Sequence, residues 1–448
     1  MKNGCNFLTN SANSILPNSL SPLNNHSKEH NKFVLSKAIV SLKNKFHRSS
    51  NSNNIIDDNL SESPLKQIHH RLLTPLLIDS SFEPKKILTK EFNIFKLKSL
   101  IGTENVLPLI GKTILDAFGI NDTMINISKL DSFLQKISNS YNINVPYHNS
   151  IHGSNVTQTI LLFFLNSNAE ELCATSMLDI LSIFIAALGH DLGHPGLTNN
   201  YQINSFSDMA IMYNDISCLE NYHISRLFRI VREKENNIFE KLSVIDYRSL
   251  RKRIVNMILA TDMANHGKVM SVIKGRIQID SNTNIAKTEL LSRNPKNLFD
   301  EQQAFLNLFI HSAALAHNTK LFSISIQWVE LLTKEFWLQG DKEKNMNLPI
   351  SFLCDRIGAD IPSSQVGFIK GFVLPTFDVL IQMFPSLHYT VDNAKNNLDE
   401  WEKMVEEHRK TGWTPREKEE SVKIKKTFTA IWGKIKLIIV HKRKGSGE

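Results

Sequence analysis

The chain has 448 residues, of which 42% are hydrophobic and 21% are charged, and its formal net charge is +8. This is enough material for one large domain with tails, or for two small domains. The basic excess lies at the two ends of the chain, in residues 1–70 and 421–448, so the high pI does not indicate a nucleic-acid-binding body.

The four cysteines are scattered and show no CxxC spacing. This pattern excludes a thiolate zinc site and a disulfide framework, and it is typical of a reducing compartment. No apolar stretch reaches the roughly 18–20 residues of a membrane span, and the N-terminus lacks a charged-then-apolar signal pattern. We therefore expect a cytoplasmic protein.

The two ends differ from the body of the chain. Residues 1–81 are rich in Ser and Asn and poor in aromatic residues, and we expect them to form a disordered tail. Residues 421–448 combine apolar residues with lysines and end in a basic cluster. Such a segment is typical of a terminal helix packed on the body, and also of a peripheral anchor on anionic lipid.

Residues 82–420 have the pattern of a globular all-α body. Apolar residues recur at helical spacing, and no alternating β-branched segment or Asn-Gly hairpin competes with them. No phosphate-binding glycine loop of the GxxxxGK[ST] or GxGxxG type occurs. The main periodic runs are Val106–Phe118, Thr157–Leu165, Leu178–Leu188, Ile203–Tyr213, His223–Val231, Leu250–Met263, Glu301–Ala316, Phe322–Trp337, Ser363–Phe384 and Leu398–His408.

The apolar run Leu178–Leu188 is followed by His190, Asp191 and His194, and we expect Pro195-Gly196 to end its helix. Burying an unpaired neutral polar group costs about 2–7 kcal/mol. A bound metal ion would supply the charge that a carboxylate needs and the partner that an imidazole needs. The stretch therefore predicts a metal site.

A second polar stretch places His148 and His152 four residues apart, which on a helix would put both on one face. Such a pair alone is more often a surface or satisfied pair than a metal site. Together with His190 and Asp191, however, it makes a candidate His, His and Asp cluster. Zinc accepts this ligand set, and Mg²⁺ or Mn²⁺ prefers the carboxylate oxygen.

Five motifs occur in order at 147–152, 190–196, 212–221, 259–263 and 364–368. Together they resemble the class I 3′,5′-cyclic nucleotide phosphodiesterase catalytic domain, over roughly Phe82 to His408. The resemblance implies a compact multi-helix fold of the HD type. It also implies hydrolysis of cAMP, cGMP or both to the 5′-monophosphate, in cyclic nucleotide signalling.

The resemblance also implies a role for each motif residue around the metal ions. His152, His190 and Asp191 match the ligands of a zinc-like ion, and Asp191 also bridges to a second ion, magnesium or manganese. His148 matches the proton donor to the leaving 3′ oxygen, which suits an imidazole because its pKa lies near the working pH. The residues matching groups around the metal waters and the pocket wall are His194, Glu220 and Asp262.

The substrate pocket is matched by a further set of residues. Gln365 matches the amide that hydrogen-bonds the purine edge, and an amide can present a donor or an acceptor. Phe368 matches the aromatic ring that stacks on the base, and Leu332 matches the opposite wall. Tyr147 and His317 match pocket residues, and a histidine at 317 is typical of members that accept both cyclic nucleotides. Without the resemblance, Gln365 and Phe368 would be read as core residues.

The family pattern breaks at Ala314, where the family has a metal-ligating Asp, and a methyl group cannot bind a metal. Ala316 and Asn318 replace the Ser and the Pro that are common there, and Asn155 replaces an Asp. We therefore expect impaired activity. The first alternative is an inactive relative that binds a cyclic nucleotide or a protein. The second is another HD-type metal phosphohydrolase, which would leave Gln365 and Phe368 unexplained.

The composition and the family resemblance together predict the binding partners. We expect a cyclic nucleotide substrate and no nucleic acid. Family members often dimerise, so a homodimer fits the resemblance, although no residue pattern in this chain specifies a dimer surface.

Overall fold

The computed structural model describes residues 84–167, 169, 175–281 and 298–411. Within these ranges the chain forms α-helices, short 3-10 turns and one π-helical segment, and no strand occurs. This confirms the all-α prediction. The predictions made for the tail 1–81 and for the C-terminal segment 421–448 lie outside the described residues.

Fifteen α-helices occur within the described ranges. In chain order, α1 to α15 are Ile94–Ile101, Thr103–Ala117, Leu130–Ser140, Ser150–Leu165, Met177–Gly189, Asn199–Asn204, Asp208–Tyr213, Cys218–Arg232, Val244–Leu259, His266–Ser281, Leu298–Leu315, Phe322–Asn345, Ile361–Phe368, Leu374–Met383 and Tyr389–Thr411.

Helices α4 and α5 form the centre of the fold. Every residue of α4 is buried, and so is nearly every residue of α5. Helix α4 packs against α2, α5 and α11, while α5 also packs against α9. A helix that is apolar on all sides belongs in a core. The buried polar residues at the start of α4 and the end of α5 are therefore held in a rigid environment.

The ends of α5 are fixed by local interactions. The helix begins at a capping box between Ser176 and Asp179, and it ends at Gly189 with His190 as its C-cap. The expectation that Pro195-Gly196 ends this helix was wrong by about two turns. Gly193 and Gly196 have φ angles of 76° and 73°, which glycine adopts without strain, so a tight turn carries His194.

The continuous helical stretch Ile361–Met383 joins α13, the π-helical segment Ile369–Val373 and α14. Its length and mean hydropathy of 1.4 would allow it to cross a membrane, which corrects the expectation that no stretch is long enough. However, Ile369, Val373 and Phe377 are fully buried, and the stretch packs against α10 and α15. One side of the stretch therefore packs on the core, while Lys370 and Phe372 on its other side are exposed.

Candidate active site

Three imidazole rings converge on the carboxylate of Asp191. Its Oδ2 lies 3.1 Å from Nε2 of His190 and 3.4 Å from Nε2 of His152. Its Oδ1 lies 4.0 Å from Nε2 of His223. These groups come from α4, α8 and the turn after α5, so the fold brings together residues that are distant in sequence.

The hydrogen bonds behind two of these rings fix their orientation. Nδ1 of His190 donates to the carbonyl of Ala187 at 2.8 Å, and Nδ1 of His223 donates to the carbonyl of Leu192 at 2.9 Å. If such a ring is neutral, its Nε2 lone pair therefore faces the Asp191 carboxylate. Two acceptors facing each other repel unless a cation or a proton lies between them.

The same atoms lack hydrogen-bond partners. Nε2 of His190 and Oδ2 of Asp191 are buried and have no hydrogen-bond partner. Buried polar atoms are normally paired, and the exceptions often mark an ion. Two imidazole nitrogens and a carboxylate oxygen are a donor set that zinc accepts, so these residues fit a divalent ion.

The pKa values in this group keep Asp191 ionised. Burial opposes its charged form, but the charge of His190 outweighs burial and holds the pKa of Asp191 well below its usual range. Burial lowers the pKa of His152 far below that of a free imidazole, despite the nearby Asp191. His152 is therefore neutral and has a lone pair available for a metal.

A second cluster joins His148 to Glu335 of α12. Nδ1 of His148 lies 2.5 Å from Oε1 of Glu335, while Oε2 accepts the backbone N–H groups of Tyr147 and His148 at 2.9 and 3.0 Å. The expectation that His148 and His152 share a helix face was wrong, because α4 begins at Ser150 and His148 precedes it. Glu335, and not a helix, positions His148.

This ion pair sets the protonation of His148. Burial disfavours the imidazolium, but the Glu335 carboxylate overcomes it and raises the pKa of His148 to about 9. Burial alone would raise the pKa of Glu335, but the imidazolium of His148 outweighs burial and lowers that pKa to about 2. The ring of His194 stacks on that of His148 at 4.2 Å, and burial together with the charge of His148 lowers the pKa of His194 to about 3.

Two further carboxylates lie near this cluster. Oδ2 of Asp262 accepts a hydrogen bond from the Ser217 hydroxyl at 2.7 Å, and Glu220 accepts one from the Asn199 amide at 2.9 Å. Burial and the charge of Asp262 raise the pKa of Glu220 to about 7. Without a cation nearby, the carboxyl group of Glu220 is therefore partly protonated at neutral pH.

Tyr147 and His317 line the inner side of the cluster. The ring of Tyr147 lies 4.6 Å from those of His148 and His152, and its hydroxyl lies 3.0 Å from Nδ1 of His317. Burial, with Asp191 and Glu335 nearby, raises the pKa of Tyr147, so its hydroxyl keeps its proton. Burial lowers the pKa of His317 to about 3, so its ring is neutral.

The three residues predicted to hold the purine lie on α12 and α13. Oε1 of Gln365 is buried and has no hydrogen-bond partner. The half-buried Phe368 stacks on Phe372 at 5.5 Å. Leu332 lies three residues before Glu335 and so on the same side of α12. The contacts of Phe368 and Leu332 are with the helix core, and their role in substrate binding stays a prediction.

Ala314 lies in the last turn of α11 and is partly buried. One turn earlier, Nδ1 of His311 donates to the carbonyl of Ala260 at 2.8 Å. Ala260 lies two residues before Asp262 in the chain. The methyl group of Ala314 supplies no ligand atom.

Two site residues were missed by the sequence reasoning. His223 lies three residues after Glu220 on α8, and Glu335 is an acid within the apolar run Phe322–Trp337. The signal for Glu335 was available, because a carboxylate in an apolar periodic run needs a buried partner. The signal for His223 was its helical spacing from Glu220.

A family model supports the arrangement independently. Residues 147–394, more than half of the chain, match the model described as 3'5'-cyclic nucleotide phosphodiesterase. The chain belongs to this family. The matched range includes every residue predicted for the site, and the resemblance stated from the motifs is confirmed.

Individual relatives agree with the family match. The mouse dual specificity calcium/calmodulin-dependent 3',5'-cyclic nucleotide phosphodiesterase 1B is 39% identical over 252 residues, which cover 56% of this chain and 44% of that protein. The mouse 1C protein is 36% identical over 313 residues, covering 69% and 41%. The chain thus spans less than half the length of these curated relatives.

A solved structure agrees in fold. The crystal structure of the phosphodiesterase domain of Salpingoeca rosetta rhodopsin phosphodiesterase is similar with a TM-score of 0.64 and 31% sequence identity. The similarity covers 74% of this chain and 97% of that domain. The all-α architecture is therefore that of a phosphodiesterase catalytic domain.

Proposed function

We propose that this chain hydrolyses 3′,5′-cyclic nucleotides to 5′-monophosphates, with two divalent ions held around Asp191. The proposal depends above all on one observation: Nε2 of His190 lies 3.1 Å from Oδ2 of Asp191, and neither buried atom has a hydrogen-bond partner. His152, His190 and Asp191 would hold zinc, and the carboxylate of Asp191 would also suit magnesium or manganese. Family membership supports the same reaction.

Divalent ions held there would lower the pKa of a bound water to about 7 and would polarise the phosphoryl group. The chain itself supplies the proton for the leaving group. His148 has a pKa of about 9 and is an imidazolium at neutral pH. Because Glu335 binds its Nδ1, the free Nε2–H is the proton that His148 gives to the leaving 3′ oxygen.

The purine would be held by residues of α12 and α13. The Gln365 amide can turn to present a donor or an acceptor, which suits both adenine and guanine. Phe368 would stack on the base, with Leu332 on the opposite side and Tyr147 lining the pocket. The relatives named as dual specificity enzymes favour the use of both cAMP and cGMP.

Ala314 favours a weakened metal centre. Loss of a residue that merely orients a ligand costs 10–100-fold in metal affinity or activity, and loss of a ligand should cost at least as much. We propose that the chain binds its ions loosely and turns over slowly. The second candidate, supported by the same residue, is an inactive relative that binds cyclic nucleotide or a protein.

The test uses the purified full chain with excess Zn²⁺, Mg²⁺ or Mn²⁺. We expect slow hydrolysis of cAMP and cGMP that a chelator stops and that His148→Ala abolishes, while the metal content of that variant is unchanged. No hydrolysis with any ion, combined with calorimetric binding of either nucleotide, would favour the inactive relative. Hydrolysis that persists in the chelator would contradict the metal-dependent proposal.

Location and assembly are also proposals. We propose a cytoplasmic protein whose residues 421–448 touch anionic membranes peripherally, because this segment combines apolar and basic residues. Sedimentation with anionic vesicles should be lost in a chain that ends at Ser421, and equal binding of both chains would dispose of this idea. A homodimer is tested by light scattering of the full chain, and a monomer mass throughout would exclude it.

A further inference from the structure

His317 and Asn318 form an unusual pair beside the candidate active site. Both side chains are buried, with 5% and 0% of their surface exposed. Nδ2 of Asn318 lies 3.1 Å from Nε2 of His317, and Nδ1 of His317 lies 3.0 Å from the Tyr147 hydroxyl. Both ring nitrogens of His317 are therefore engaged within the protein.

The carbonyl of Leu315 fixes the direction of these bonds. The same Nδ2 of Asn318 approaches this carbonyl oxygen at 3.3 Å. A carbonyl only accepts, so the amide nitrogen and not the amide oxygen must face it. Nδ2 therefore donates to Nε2 of His317, which leaves the ring proton on Nδ1, and Nδ1–H donates to the oxygen of Tyr147.

The backbone around Asn318 is held from outside the site. Two asparagines of α15 bind the turn Ala316–Thr319, where Asn397 donates to the carbonyl of Asn318 at 2.7 Å and Asn393 donates to that of Thr319 at 2.9 Å. These bonds anchor the backbone of the turn independently of the Asn318 side chain. The tautomer of His317 is therefore set by the Nδ2 contacts of Asn318 themselves.

We propose that Asn318 is a positioning residue that locks His317 in the Nδ1–H tautomer and removes it from purine recognition. The inference rests on the proposed function, because it concerns how the same site reads a nucleotide. A ring with both nitrogens bonded to protein offers shape to the base but no hydrogen bond. Hydrogen bonding to the purine edge then falls to Gln365, whose Oε1 is buried and has no hydrogen-bond partner.

The lock is tested first by nitrogen NMR of histidine-labelled full chain, with His317→Gln used to assign the His317 signals. We expect the wild-type ring to be neutral with its proton on Nδ1. Asn318→Asp replaces the amide donor with an acceptor, so the proton should move to Nε2. Asn393→Ala is the matched control, since it weakens the same turn without touching His317 and should keep the wild-type signals.

The functional step is tested by calorimetric binding of cAMP and cGMP to the same proteins and to Asn318→Ala, which frees Nε2 of His317. A neutral hydrogen bond gained or lost by one base changes affinity by roughly twofold to tenfold. We therefore expect the ratio of the two dissociation constants to change by that factor in Asn318→Ala and to stay constant in Asn393→Ala.

Each outcome separates one step from the others. A wild-type ring protonated on Nε2, or unchanged signals in Asn318→Asp, would overturn the lock. An altered ring with an unchanged affinity ratio in Asn318→Ala would overturn its part in purine recognition. Failure of every variant to bind either nucleotide, with the NMR signals as expected, would refute the proposed function and the recognition step while supporting the lock.

Discussion

Oε1 of Glu335 lies 2.5 Å from Nδ1 of His148, although the two residues are 187 positions apart in the chain. The carboxylate is buried and its other oxygen accepts two backbone N–H groups beside the histidine. This arrangement fixes both the ring orientation and the charge of His148. An imidazole that stays charged at neutral pH follows from this one contact, as the proposed proton donor requires.

The pH dependence of turnover should report this ion pair. His148 must be protonated to act, and its pKa of about 9 keeps it so until the pH rises past that value. In Glu335→Gln the neutral amide no longer supports the charge, so the alkaline limb of the kcat profile should move down by at least one pH unit. Stopped assays from pH 6 to 10 measure this limb.

Stability should depend on the same pair in a defined pH window. Because the pKa of His148 is raised to about 9, its contribution to stability is complete below pH 6.5 and is lost as the pH rises through 9. Because the pKa of Glu335 is lowered to about 2, its contribution is complete above pH 4.5 and is lost as the pH falls towards 2. Glu335→Gln should therefore lose about 3 kcal/mol between pH 5 and 6.5. An equal loss at pH 10 would mean that packing, and not charge, is responsible.

Metal binding should depend on His190. Its Nε2 faces Asp191 and has no hydrogen bond, so removing the ring removes a ligand and no hydrogen bond from that nitrogen. His190→Ala should weaken zinc binding by about 100-fold or more. Competition with a fluorescent zinc chelator measures this affinity without reference to activity.

The control for this change is His388→Ala. His388 is an exposed histidine paired with Asp392 at 3.0 Å on the surface, so its removal should leave zinc affinity unchanged. Equal zinc affinity in wild type and His190→Ala would remove His190 from the metal centre.

Restoring a carboxylate at position 314 should strengthen the metal centre. Ala314 is partly buried in the last turn of α11, so an added side chain has some access to space. Ala314→Asp should raise metal affinity by about tenfold or more and should raise kcat. Ala314→Asn has nearly the same size without the charge and should gain much less. If both variants match the wild type in metal content, the missing carboxylate is not the deficit.

Gln365 should be dispensable for folding and needed for ligand binding. Because its buried Oε1 has no partner, Gln365→Leu removes an unpaired polar atom and should leave the free energy of unfolding unchanged or slightly higher. Affinity for cAMP and cGMP should fall by about tenfold. Calorimetry and thermal unfolding measure the two effects separately.

Gln158→Leu is the matched control for Gln365→Leu. Gln158 accepts from the buried ammonium of Lys320 at 3.0 Å and donates to the carbonyl of Ile87 at 2.9 Å. Its loss should destabilise the fold by about 2–4 kcal/mol while the folded protein keeps its nucleotide affinity. A large stability loss in Gln365→Leu would instead assign that residue to the core.

Helix positions could be predicted from the sequence because apolar periodicity reports burial directly. The run Leu178–Leu188 corresponds to α5, Met177–Gly189, within one residue at each end. The run Ser363–Phe384 corresponds to the helical stretch Ile361–Met383, but its π-helical segment Ile369–Val373 was not predictable. A π segment depends on packing around it, which no local spacing records.

The start of α4 and the partner of His148 could not be predicted from the sequence, because a helix cap sets the first and a tertiary contact sets the second. Asn149 caps α4 by accepting from the N–H of Ile151, so the helix excludes His148 from its first turn. Spacing alone placed His148 on that helix. The pairing of His148 with Glu335 is set by tertiary contact across 187 positions, which motif spacing cannot encode. The roles taken from the resemblance remain predictions that the experiments above address.

Glu220 has a pKa of about 7, which is raised by burial and by the charge of Asp262. The folded chain holds this proton more tightly than the unfolded chain, so ionised Glu220 lowers stability as the pH rises from 4.5 to 7. In the metal-free protein, Glu220→Gln should therefore unfold at the same temperature as wild type near pH 4.5. At pH 8 it should be more stable, by about 1–3 kcal/mol.

The control is the same substitution at Glu240, where the expected change in stability has the opposite sign. Glu240 is exposed, and its pKa is lowered by hydrogen bonds from Lys129 and Asn126, so Glu240→Gln should lose stability above pH 4.5 and match the wild type at lower pH. Added Zn²⁺ or Mg²⁺ should shrink the gain from Glu220→Gln, because a nearby cation favours the carboxylate. A gain that is constant with pH and indifferent to metal would show that Glu220 does not face the ion site.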